Sequence, residues 1–172
     1  MDFLTLVKER YSVRSFKADA IPDEIAEKII EAGRVAPTAC NKQPQRIIVL
    51  NNEKGLDRLK KCTECHFNAP LAFVICYDKS ECWKRSYDGK QSGTVDASIV
   101  TTHMMLEAAS LGIGSTWVMY FIPEAVKTEF ELDDNTEPVA ILTMGYPSDT
   151  AKPSGMHFSR KNKEQTVFYW NK

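Results

Sequence analysis

No apolar run in these 172 residues approaches the roughly 18 that a membrane span requires, which excludes a helical membrane protein. Excess charge of one sign is missing as well. The 22 basic and 23 acidic residues leave a formal net charge of −1, with a pI near 6.3. A nucleic-acid binder is normally basic as a whole, so that class is disfavoured. The start lacks an apolar leader: Asp2, Lys8, Glu9 and Arg10 interrupt it, and no secretory signal is expected. Glycine-rich phosphate signatures are absent too. Gly112-x-Gly114 follows a helical pattern and leads into a strand, the reverse of a dinucleotide fingerprint, and no third glycine arrives. There is neither a phosphate-loop lysine motif nor a Gly-x-Ser-x-Gly elbow. Histidines number three. His103 falls inside a helical pattern and reads as a satisfied core residue, while His66 and His157 stand alone in loops. With no acid–base pair in view, catalysis here has to borrow its chemistry from a cofactor.

What is present suits one globular domain spanning residues 1–172. Hydrophobic residues at 43% and charged residues at 26% are ordinary proportions, and this length buries roughly 70% of the unfolded surface. Five cysteines, an odd count, point to reduced thiols in a cytoplasm. The expectation is a cytoplasmic protein handling a small molecule, without nucleic-acid or membrane partners. Its charge is unevenly spread. Lys152, Arg160, Lys161 and Lys163 lie together without an acid, and Glu131, Asp133, Asp134 and Glu137 without a base. If the two basic ends of the chain meet, they make one anion site on a near-neutral protein. The alternative is two separate solvated patches.

The pattern predicts a short helix over 3–9, with Phe3, Leu4 and Val7 on one side. Ile21-Pro22-Asp23-Glu24 starts a second helix, whose buried stripe is Ile25, Ile29, Ala32 and Ala36. Apolar runs 47–50 and 71–77 read as buried strands, with a brief helix over 54–61 between them. The polar stretch 78–92 reads as a flap over a site. Residues 93–111 form the longest helix, with a stripe of Val95, Ile99, Thr102, Leu106 and Ala109 and a cap at Gly112. Its other faces are also largely apolar, so it belongs at the centre. A strand from 114, a helix over 123–130 and a strand over 138–144 complete the periodic part. The apolar residues Thr166-Val167-Phe168-Tyr169-Trp170 then need a surface to cover them, and a partner subunit supplies one.

Three motifs carry chemistry. Arg10-Tyr11-Ser12-Val13-Arg14-Ser15-Phe16 sets two arginine forks and a hydroxyl within one short stretch. Arginine's planar donors match phosphate, and a close pair repels unless an anion lies between. The bland reading is a solvated basic turn. Pro37-Thr38-Ala39-Cys40-Asn41-Lys42-Gln43-Pro44 is a polar loop between two prolines, presenting amides and hydroxyls with little backbone freedom. Cys62-x-x-Cys65-His66 has the spacing of half a zinc site or a redox pair, but no second half follows, and free thiols are the expectation. Cys40, alone in its loop, is weak evidence of a nucleophile.

In order along the chain, the arginine motif, Ala36 to Pro44, Asn68-Ala69-Pro70, Asp96, Gly112-Ile113-Gly114-Ser115-Thr116-Trp117, Gly145-Tyr146-Pro147 and Arg160 form a specific set. The chain resembles the nitroreductase family of flavin enzymes over nearly its whole length. The resemblance implies an α+β, three-layer fold, a central mostly antiparallel sheet flanked by helices, in an interlocked homodimer with its C-terminal segment, about 150–172, extending onto the partner. It implies FMN bound between subunits and NAD(P)H as electron donor. Arg10, Tyr11, Ser12 and Arg14 would meet the FMN phosphate and ribityl chain, joined by Arg160 at the phosphate. The loop of Pro37, Thr38, Ala39, Asn41 and Gln43 would line the flavin, its early part reaching the partner's cofactor. Gly114 and Ser115 would approach the ring from the far side, small residues letting the backbone come close. No residue of the chain itself is assigned as catalytic, and no metal is implied. The activity implied is a ping-pong transfer from NAD(P)H to nitroaromatics, quinones or related oxidants.

Two departures from the family pattern stand out. The chain has little of the excursion that larger members carry between mid-chain helices, which implies a more open pocket. Tyr11 replaces an arginine common at that position. Other readings are a specialised member such as a reductive dehalogenase or a flavin-consuming enzyme, a flavin-binding store or redox sensor with little turnover, and a domain that kept the fold but lost the flavin. Retention of Arg10, Ser12, Arg14, Asn41 and Arg160 disfavours the last of these.

Overall fold

A computed structural model describes residues 2–170. The chain runs α1 (Phe3–Glu9), α2 (Asp23–Arg34), β1 (Gln45–Leu50), α3 (Glu53–Cys62), β2 (Leu71–Asp78), α4 (Gly93–Ser110), β3 (Gly114–Val118), α5 (Pro123–Glu129) and β4 (Thr136–Gly145). Beyond β4 the described residues form only short 3₁₀ turns, at Gly155–Phe158 and Lys163–Gln165. The four strands form one sheet in the order β1-β2-β4-β3, and every neighbouring pair is antiparallel.

Strand periodicity divides the core into two layers. On β2, Leu71, Phe73, Ile75 and Tyr77 face α2 and α4, packing with Ile29, Val100 and Met104. The alternate residues Ala72, Val74 and Cys76 face α3 and α5, packing with Leu59, Cys62 and Val126. Both faces being covered, β2 is buried from Leu71 to Tyr77, and a continuous apolar run is what that position requires. The three layers are the expected ones.

Helix ends follow from local sequence. Asn52 caps α3, its side chain accepting from the Gly55 amide at 3.0 Å. Gly112, at φ +77°, ends α4. The Gly112 and Ile113 amides donate back to the carbonyls of Ala109 and Ala108, at 3.1 and 2.8 Å, a turn that glycine adopts without Cβ strain.

Three expectations need correction. The buried side of α4 is Ala97, Val100, Thr101, Met104 and Ala108, whereas Val95 is exposed and Ile99, Thr102, Leu106 and Ala109 are half-buried. A helix apolar on nearly every side has no moment to reveal which face meets the sheet. His103 is likewise no satisfied core residue. It is half-buried on the outer side of α4, against an apolar groove that Phe3, Leu6, Ala32 and Leu106 also line. Finally, 78–92 closes on itself as a small hairpin. Lys84 bridges Gln91, Arg85 pairs with Asp88 at 2.6 Å, and Cys82 and Ser92 are buried at its base.

Candidate functional site

β3 is an edge strand, and the arginine motif lies along it. Ser12 bridges Ser115 in parallel, the Val13 amide donates to the Ser115 carbonyl at 3.0 Å, and the Thr116 hydroxyl donates to the Val13 carbonyl. The chain then turns and pairs with the end of β4. Lys17 N–H donates to the Tyr146 carbonyl at 2.8 Å, and Ser148 N–H to that of Ser15 at 3.0 Å. Val13 is buried and anchors the stretch. A Cβ on Gly114 would sit 2.7 Å from Val13 Cγ2 and 3.1 Å from Pro147 Cγ, so the packing of this stretch alone requires glycine there.

Arg10, Tyr11, Val13, Gly112, Gly114 and Ser115 line a cavity of about 170 Å³. That space suits a phosphate-sized group rather than a whole nucleotide. The Ser115 hydroxyl is buried and has no hydrogen-bond partner among the described residues. Arg10 is half-buried; burial first, and then the nearby guanidinium of Arg160, push it below its ordinary pKa. The C-terminal turn reaches the same place through His157, whose ring meets Tyr11 edge-on at 6.3 Å. Among the described residues the Arg160 guanidinium donates to the carbonyls of Met156, His157 and Ser159, the last at 2.8 Å. Neither Arg10 nor Arg160 has a carboxylate partner among the described residues, although Glu9 also lines the cavity. Arg14 is exposed, and its guanidinium donates to the Ser12 carbonyl at 3.3 Å. The basic ends therefore do meet.

The loop between Pro37 and Pro44 lies elsewhere. Cys40, Asn41 and Gln43 all have φ of 51–52°, a region that non-glycine residues visit at a cost of about 1–3 kcal/mol each. The Gln43 amide donates to the Thr38 hydroxyl at 3.0 Å, and the Ala39 amide to the Asp96 carboxylate at 2.9 Å. Asp96 opens α4, whereas the arginine cavity lies against Ala109 and Gly112 at its other end. At 1.5 Å per residue these points are roughly 20 Å apart. One chain thus holds two separate groups of the sequence-predicted residues: Arg10, Tyr11, Ser12, Arg14, Gly114, Ser115 and Arg160 at one end, Pro37, Thr38, Ala39, Asn41 and Gln43 at the other.

The model described as the nitroreductase family matches residues 7–70 and 62–146. This chain belongs to the nitroreductase family. A solved nitroreductase family protein of Clostridium difficile 630 is 43% identical, with a TM-score of 0.93 over 98% of each chain. An Archaeoglobus fulgidus protein, provisionally named NADH dehydrogenase/NAD(P)H nitroreductase, is 34% identical over 156 residues, 85% of this chain and 86% of that one. An FMN-dependent nitroreductase of Clostridium difficile R20291 covers 98% of this chain and 99% of its own with a TM-score of 0.80; at 24% identity it shares the fold. The nitroreductase match includes the arginine motif, the proline-bounded loop and Asp96, and it stops short of Arg160.

Sequence reasoning overlooked three participants: Asp96 as an anchor of the loop, Val13 as the residue that fills the space over Gly114, and His157 as the contact that docks the C-terminal turn. Asp96 carried a signal, a lone acid in the first turn of an apolar helix. The other two are contacts between distant segments and had none. Among the described residues no three His, Cys, Asp or Glu side chains cluster as metal ligands would, and no helix is long and apolar enough to cross a membrane.

Proposed function

We propose that this protein is an FMN-dependent oxidoreductase that passes electrons from NAD(P)H to small oxidants such as nitroaromatics or quinones. Family membership makes the chain an NAD(P)H-dependent oxidoreductase; the flavin and the oxidants are the finer reading. One observation carries it. The Arg160 guanidinium, from the opposite end of the chain, is near enough to lower the pKa of Arg10, neither arginine has a carboxylate partner among the described residues, and Arg10 lines a cavity with the buried Ser115 hydroxyl, which has no hydrogen-bond partner there. Like charges brought together in a folded protein call for an anion, and a phosphate ester accepts from both arginine forks and from the Ser115 hydroxyl. The residues present fit the phosphate end of FMN.

Arg10, Ser12, Arg14 and Arg160 would hold the phosphate and ribityl chain, with Tyr11, Gly114 and Ser115 closing that end. Pro37, Thr38, Ala39, Asn41 and Gln43 would line the ring. The chemistry that bound FMN supplies is two-electron transfer, from NAD(P)H in one half-reaction and to the oxidant in the other. The protein's part is to fix the ligand at its anionic end, present loop amides to the ring and leave one face open to two substrates in turn.

The separation of the two residue groups along α4 supports a homodimer. A ligand that touches both groups needs the loop from a second copy, set antiparallel to the first. Apolar surface is available for such a contact: Phe3, Leu4, Val35 and Val95 around α4, and Met156, Phe158, Phe168 and Tyr169 in the C-terminal segment, are exposed. That segment, about 150–172, would lie on the partner subunit.

The test is the visible absorbance spectrum of the purified protein, followed by NADH or NADPH without oxygen. A bound oxidised-flavin spectrum that bleaches on addition is the expected result. A flavin spectrum that persists would make the protein a flavin store or sensor. A colourless protein that takes up no added FMN would overturn the proposal.

A further inference from the structure

The loop of residues 38–43 is a strained shape with little above it. Cys40, Asn41, Lys42 and Gln43 are exposed, and three of those four have left-handed backbone. Such conformations persist only where surrounding contacts over-determine them. Within the loop, the Asn41 and Lys42 amides donate to the Thr38 and Ala39 carbonyls at 2.9 and 3.1 Å, and Gln43 donates to the Thr38 hydroxyl. Those contacts close the loop on itself. They do not fix where it stands on the protein.

What fixes it there is Asp96. The residue is 1% exposed, and no Lys, Arg or His pairs with it among the described residues. One carboxylate oxygen accepts from the Ala39 amide at 2.9 Å, the other from the Ser92 hydroxyl at 2.7 Å. The Asp96 amide donates in turn to the Ser92 carbonyl at 2.8 Å, so the carboxylate is held at the first turn of α4. A buried carboxylate without a cation is costly unless hydrogen-bonded, and here its donors are one loop amide and one hydroxyl, with the helix N-terminus adding to their effect. The far end of the loop is tied as well, through the Pro44 carbonyl, which accepts from the Asp78 amide at 2.8 Å. Ala39 is thus clamped to α4 and Pro44 to β2.

We infer that Asp96 is a positioning residue: its buried carboxylate, through the Ala39 amide, sets the 38–43 loop in the shape it presents to its ligand. That the ligand is flavin rests on the function proposed above; the effect on the loop does not. A plain structural role, an acid that merely favours the start of α4, makes a different prediction, because it would loosen the helix and leave the loop alone.

Backbone hydrogen–deuterium exchange of the flavin-free protein separates the two roles. The peptide 37–44 carries the four hydrogen-bonded amides of Ala39, Asn41, Lys42 and Gln43. In Asp96→Ala, exchange of this peptide should quicken by about 10- to 100-fold, as expected on losing a hydrogen bond to a charged group, while the 71–78 strand keeps its protection. Asp96→Asn keeps an acceptor of the same shape without the charge and should fall between wild type and the alanine variant. The dissociation constant for added FMN, read from flavin fluorescence, should follow the same order. Unchanged exchange in 37–44, with only the thermal midpoint lowered, would overturn the assignment. If the alanine variant does not fold, Asp96→Asn at the wild-type exchange rate would do the same. Faster loop exchange in a protein that binds no FMN in any form would uphold Asp96 as the anchor and sink the flavin reading instead.

Discussion

Arg10 and Arg160 come from opposite ends of the chain and repel one another beside the cavity that Arg10 and Ser115 line. Their approach costs free energy that an anion lying between them would recover. Stability and binding should therefore respond in opposite senses. Arg160→Ala should weaken FMN binding by about 10- to 100-fold, the range for losing a hydrogen bond to a charged group. The flavin-free protein should melt no lower than wild type, because the repulsion is relieved. Arg10→Ala should weaken binding similarly. Flavin fluorescence titration and melting of the flavin-free form check the pair; a lowered melting temperature with unchanged FMN affinity would make Arg160 structural.

Gly93 and Gly33 face different neighbours. A Cβ on Gly93 would run into the Tyr77 ring and lie 2.6 Å from Cys82 Sγ, and a buried ring cannot slide aside. At Gly33 the obstacles are Cγ and Sδ of the fully buried Met104, at 2.7 and 2.9 Å, a side chain with more torsional freedom than a ring. Gly93→Ala should cost about 1–3 kcal/mol through overpacking. Gly33→Ala, lying inside α2, also overpacks but regains up to about 1 kcal/mol of helix propensity, so it should cost less than Gly93→Ala. Urea denaturation of the two variants decides the point.

Among the five thiols, burial raises Cys62 to about 11 and Cys76 to about 12, from an ordinary value of 9.0. Cys82 is raised for the same first reason. A raised thiol favours the protonated form in the folded state, so its contribution is intact below pH 9 and is lost as pH climbs from about 9 toward 11–12. Stability should hold to pH 9 and decline above it. At pH 8, a thiol-specific disulfide reagent should modify exposed Cys40 and half-buried Cys65 in the native protein, and the other three only on unfolding.

The C-terminal segment should hold the assembly together. A chain ending at residue 154 loses Met156, Phe158, Phe168 and Tyr169, all exposed within one subunit, and Arg160 with them. It should sediment as a monomer and bind FMN at least about 10-fold more weakly, the loss of one charged hydrogen bond. A dimeric truncated chain would place the interface on the helices alone.

Much of the fold was legible in the sequence because its signals are local. Gly112 caps α4 through atoms within a few residues, and the apolar run at 71–77 reads as a buried strand. Motif order placed the family from the same local information. Nothing local, however, tells which side of α4 meets the sheet. Val95, Ile99 and Leu106 have the same period and polarity as Ala97, Val100 and Met104, and only the competition for space against Phe73 and Ile29 chose between them.

The candidate site divides in the same way. Residue types at Arg10, Ser12, Arg14 and Arg160 made an anion site one of two sequence readings, the other being a solvated basic turn. That Arg160 reaches Arg10 was decided by folding, through the edge of β3 and the contact of His157 with Tyr11. That the 37–44 loop stands at the opposite end of α4 was decided there too, and so was the tie from Asp96 to Ala39. Sequence by itself determined which chemistries the chain carries, because those reside in side chains. Tertiary structure alone decided which of them meet, because distance through space is not written in distance along the chain.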